Sequence, residues 1–114
     1  MAYDEFLADR LRISLKEQGA RFEEKKVMGG LCFMVDDKMC VGIVKDTLMA
    51  RIGPDKYEGA LEKPGCNEMN FTGRPMKGYV FIDPEAIVDE DQLDYWVDLC
   101  LQFNPLAKSS KRKK

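Results

Sequence analysis

The chain of 114 residues has no histidine. That gap closes several chemistries at once. Ser14, Ser109 and Ser110 have no imidazole to activate them, so a Ser-His-Asp arrangement is excluded. The usual zinc sites lose their nitrogen ligands. The four cysteines, Cys32, Cys40, Cys66 and Cys100, include no C-x-x-C pair from which an all-thiolate site would start. No metal or other cofactor is expected. The sequence also lacks any apolar run near the roughly 20 residues that cross a bilayer, so no membrane role is expected. Its acidic start, Met1-Ala2-Tyr3-Asp4-Glu5, is unlike a basic leader. Cysteines set inside apolar patterns behave as small hydrophobes and suit a reducing, cytoplasmic address.

What is present describes one soluble domain. A third of the residues are charged and 45% are apolar, a globular balance at a length that fits one core. The net charge of −2 hides an asymmetry, because five of the 18 cationic residues, Lys108, Lys111, Arg112, Lys113 and Lys114, lie in the last seven positions. The rest carries 13 cations against 20 anions, a net of −7. A body that acidic repels phosphate chains at long range, whereas the tail attracts them locally. The expected organisation is a folded domain over residues 1–104 and a disordered basic tail over 105–114.

Apolar periodicity gives the elements. Tyr3, Leu7, Leu11 and Leu15 recur every four residues and predict a helix ended by Gly19. The period then falls to two. Residues 22–28, 31–35, 39–44 and 48–52 read as an antiparallel meander, its turns at Gly29-Gly30, Asp36–Lys38 and Lys45-Asp46. Pro54 opens a short helix through Leu61. Residues 69–72 and 79–82 read as a further strand pair, the second of them broken by Asp83-Pro84. Asp89 caps a last helix whose stripe is Leu93, Trp96, Val97, Cys100 and Phe103. The order α-β-β-β-β-α-β-β-α predicts an α+β fold, an antiparallel sheet of five to six strands with its helices on one face.

Two motifs invite a functional reading. In Gly73-Arg74-Pro75-Met76-Lys77-Gly78 the glycines permit unusual backbone angles and Pro75 stiffens the link. The segment matches neither phosphate-loop nor dinucleotide fingerprint, and Pro75 removes an amide donor from its middle. Arg74 and Lys77 are still candidate contacts for a partner or a phosphate. Cys32 and Cys40 are candidate pocket-wall residues. A two-residue turn at Asp36-Asp37 sets them on opposite faces of the hairpin, whereas a three-residue turn sets them on the same face.

The segments MGGLCFM (28–34), MCVGIVKDTLMARIGP (39–54) and FTGRPMKGYV (71–80) resemble the N-terminal domain of the TfoX/Sxy proteins, at family-like spacing from about residue 1 to 104. The resemblance implies the α+β fold of secretion-chaperone-like and YjbR-like proteins. It also implies a link to bacterial regulators of competence genes. It brings no agreed catalytic residues. Those regulators carry a second, C-terminal domain. Here the chain is expected to stand alone and to close on its Lys-rich tail.

The functional expectation is therefore a non-enzymatic regulatory or interaction module. It would bind a protein partner, such as transcription machinery, through a strand edge or through Arg74 and Lys77. A weak nucleic-acid contact through Lys111, Arg112, Lys113 and Lys114 is a variant of the same idea, and self-pairing of a sheet edge makes a homodimer a candidate assembly. The rival class is a small-molecule binder, or an enzyme of unknown reaction, with a pocket between the sheet and the last helix.

Overall fold

Asp4 starts the first helix by accepting hydrogen bonds from the Phe6 and Leu7 amides at 2.9 and 3.2 Å, which satisfies two of its otherwise unpaired donors. In the computed structural model, which describes residues 3–27, 30–68 and 78–106, that helix is α1 (Glu5–Glu17). Gly19 stops it in the left-handed region at φ 81°. The meander follows as β1 (Glu23–Val27), β2 (Gly30–Val35), β3 (Lys38–Val44) and β4 (Thr47–Arg51). Then come α2 (Pro54–Leu61), β5 (Cys66–Glu68), β6 (Tyr79–Ile82), a 3-10 turn (Pro84–Ile87), α3 (Glu90–Phe103) and a closing 3-10 turn (Asn104–Leu106).

The six strands form one antiparallel sheet in the order β1-β2-β3-β4-β6-β5. The fold is α+β, with the element order read from the sequence. Two local details differ. The fifth strand lies at Cys66–Glu68, while the stretch expected to form it, 69–72, lies outside the described residues. The Asp83-Pro84 break becomes a turn of 3-10 helix, because proline fixes a compatible φ where it interrupts the strand.

Alternation along the strands separates two faces. Leu31, Phe33, Val41, Ile43, Leu48, Ala50, Val80 and Ile82 point to the side that receives all three helices, where Leu7, Leu11, Leu15, Leu93, Trp96, Val97 and Cys100 meet them. Each such leucine contributes about 2 kcal/mol through burial. The other side holds a smaller cluster, buried Cys32 and Met49 with Met34, Met39, Val44, Tyr79 and Phe81 packed around them. The described methionines thus sit away from the main core.

The hairpin parity is settled by backbone geometry. Asp36 and Asp37 have φ of 56° and 64°, both left-handed, which is the two-residue turn whose twist matches the strands. Val35 pairs with Lys38 and Met34 with Met39, after which the register slips so that Phe33 faces Val41. Cys40 is the extra residue of this bulge and turns into the main core, while Cys32 lies on the opposite face.

Arg10 ties α1 to the entrance of α3. One guanidinium nitrogen donates to the carbonyls of Ile87 at 2.7 Å and Val88 at 3.2 Å, and Nε pairs with Glu90 at 3.3 Å. Ser14 donates to Asp94 at 2.6 Å one turn further along. Among the described residues no helix is long and apolar enough to cross a membrane.

Candidate functional site

A sizeable hollow lies where the turn after α2 meets the start of α3. Gly65 has φ +81°, and a side chain there would press on Ala86 Cβ at 2.7 Å. Its bare backbone lets the 63–65 turn lie close to the 3-10 turn. Asp83 fixes that approach, its amide donating to the Gly65 carbonyl at 2.8 Å and its carboxylate accepting from Asn67 Nδ2 at 3.2 Å. On the other side α3 begins with a capping box, in which the Asp89 amide donates to Gln92 Oε1 at 3.0 Å. The result is an open groove of about 600 Å³. One bank is Lys63, Pro64 and Gly65, the floor Asp83, Glu85 and Ala86, and the far bank Asp91, Gln92, Tyr95 and Trp96.

Its electrostatics are lopsided. Three carboxylates, Asp83, Glu85 and Asp91, face one ammonium, that of Lys63. Lys63 Nζ stands 4.8 Å from the centre of the Tyr95 ring, so the aromatic bank already holds a cation against its π face. Tyr95 in turn meets Trp96 edge-on, with ring centres 5.1 Å apart. Glu85 and Asp91 are exposed and make no hydrogen bond or ion pair among the described residues. A smaller hollow of about 250 Å³ lies between Arg21, Phe22, Glu23, Met34, Asp36 and Asp37.

The residues singled out in the sequence fall elsewhere. Arg74, Lys77, Lys111, Arg112, Lys113 and Lys114 lie outside the described residues. Cys32 and Cys40 are both buried, on opposite faces of the sheet, and neither lines the groove. Sequence reading assigned Trp96 to the core stripe and Asp83 to a strand break, and gave Tyr95, Glu85 and Asp91 no functional role. The only signal available was the Asp83-Pro84 break, which marks a corner without saying what the corner encloses.

The four thiols are free. Burial pushes Cys32, Cys66 and Cys100 up from the ordinary thiol range, Cys66 to about 11 with help from the nearby Asp83 charge. Cys100, wholly enclosed, also shares a hydrogen bond with Cys40. Such thiols stay protonated and are poor nucleophiles. Because the folded state holds the Cys66 proton more tightly than the open chain, the associated stability is full below pH 9 and is lost as pH rises through about 11. The expected loss from this thiol alone is about 2 kcal/mol by about pH 10.5. Urea melts between about pH 8.5 and 10.5 should show it, with a shallower decline in Cys66→Ala. Wild type and variant declining in parallel would refute the assignment.

Comparison with known proteins now gives the chain a context. It is 32% identical over 72 residues to a carbonic anhydrase of Dunaliella salina, a match that takes in 63% of this chain and 11% of that protein. The chain thus spans about a tenth of that relative's length. No solved structure matches the chain. The profile that matches most of it is the TfoX N-terminal domain, over residues 14–104. The chain therefore belongs to the TfoX N-terminal domain family.

Proposed function

We propose that this chain is a non-enzymatic regulatory module, related to regulators of competence genes, that works by holding a protein partner in the groove beside α3. The observation that carries this reading is the groove itself, an open hollow of about 600 Å³ with an aromatic bank and two uncommitted carboxylates. An open trough suits a segment of chain laid along it. The sheet edges suit a partner less well. β1 presents the exposed charges Glu23, Glu24, Lys25 and Lys26, and β5 is three residues long, both of which discourage strand addition. Phosphate contact, in this reading, falls to Arg74, Lys77 and the terminal cations, since the groove's own charge repels it.

A photo-reactive benzoylphenylalanine at Tyr95 tests the proposal in living cells of the native host. The expected result is a protein adduct of defined mass, absent when the same group replaces exposed Lys26 on the far edge. Adducts at both positions, or at neither, would count against the groove as a partner site. A second reading is favoured by the groove's volume, which falls in the range of small-molecule sites. That reading predicts a thermal shift with one class of metabolite and no protein adduct.

A further inference from the structure

We infer that the groove recognises a basic peptide, an extended segment bearing arginine or lysine side chains, which rests on the protein-binding reading and gives it a ligand chemistry. Charge is the first argument. Three carboxylates against one ammonium leave the trough anionic, and the residues ahead of the tail carry −7, a field that draws cationic partners from a distance. The carboxylates most available to an incoming cation are Glu85 and Asp91. Asp83 is partly engaged by Asn67 and Lys63 is drawn to Tyr95.

The second argument is the aromatic bank. Lys63 Nζ stands 4.8 Å from the centre of the Tyr95 ring, so this bank already holds a cation against a π face, and the Trp96 ring stands edge-on beside it. An arginine or lysine side chain carried by a peptide laid along the trough meets both the rings and the carboxylates. An acidic peptide meets neither.

Trp96 is the chain's single tryptophan and lines the groove, so its emission is a direct probe of an occupant there. The whole protein is titrated with three capped pentapeptides that carry arginine, glutamine or glutamate at the second and fourth positions between alanines, and separately with spermidine. The arginine peptide should shift the emission and bind at least about tenfold better than the glutamate peptide, as two partly exposed ion pairs imply. Raising salt should weaken it. The double variant Glu85→Gln, Asp91→Asn should lose about the same factor. Both sites are exposed, so the variant keeps its fold, which its unchanged melt would verify. Equal binding of the three peptides, or no loss in the double variant, overturns the inference. Spermidine matching the arginine peptide overturns the peptide part. If no peptide binds while the benzoylphenylalanine at position 95 still captures a protein, the basic ligand is wrong and the partner site stands. If neither occurs, both fall.

Discussion

Gly53→Ala should lower the stability of this domain by about 3 kcal/mol or more, while Gly59→Ala, six residues on, should raise it by about 0.5–1 kcal/mol. The contrast follows from what each glycine does. Gly53 follows β4 and caps α2 at φ 90° and ψ 158°, a region essentially reserved for glycine that costs a side chain roughly 1–3 kcal/mol. An added Cβ would also land on the ring of Phe103, at the end of α3. The ring has little room to yield, since the Arg51 guanidinium stands 5.8 Å from its centre. Backbone relief is blocked as well, because the Ile52 and Gly53 amides both donate to the Gly78 carbonyl, at 2.8 and 3.1 Å. Overpacking of that kind adds about 1–3 kcal/mol. Gly59 has no atom within 4 Å of an added Cβ and lies on the exposed side of a helix, where alanine simply restricts the open chain. Urea midpoints measure both. A Gly53→Ala variant as stable as wild type would mean that the β4–α2 corner does not pass under α3 as described.

Phe33→Ala should be at least as damaging, by about 3–5 kcal/mol. Phe33 is fully buried at the centre of the helix-facing side of β2, and the Phe22 ring meets it edge-on at 5.5 Å. Removing it leaves a void that α1 and the flanking strands cannot fill without breaking the β2–β3 register fixed by the Cys40 bulge. For a domain whose whole stability is about 5–15 kcal/mol, that loss brings it close to unfolding at body temperature. Phe33→Leu retains most of the volume and should cost about 1–1.5 kcal/mol. Phe6→Ala removes a ring that is 75% exposed and should change stability by about 0.5 kcal/mol or less. Calorimetry should therefore order the three as Phe6→Ala, Phe33→Leu, Phe33→Ala in falling melting temperature. An equal effect at positions 6 and 33 would contradict the placement of the core.

Much of this fold is written in short-range chemistry. Asp4 caps α1 because its carboxylate reaches amides two and three residues on, Asp89 opens α3 through a capping box with Gln92, and Pro54 opens α2 because its ring sets φ for a helix. A turn near Asp36-Asp37, though not its length, is legible because short polar side chains tolerate the left-handed region. The period of two in 31–35 decided which of those residues share a face. All of these depend on neighbours within four positions, so the sequence alone determined them.

Tertiary structure decided the rest. The bulge that carries Cys40 into the main core arises from pairing across two strands, and no local pattern announces it. Placing β6 between β4 and β5 requires the chain to cross through α2, a choice among global arrangements. The groove is the clearest case. Lys63, Asp83 and Tyr95 are far apart along the chain, and they meet because Gly65 lets one turn press against Ala86 while Arg10, from α1, fixes the joint that aims α3. Each residue reads locally as a solvated charge or a helix-surface ring. Their joint electrostatics exists only once the folded backbone has brought them to one place.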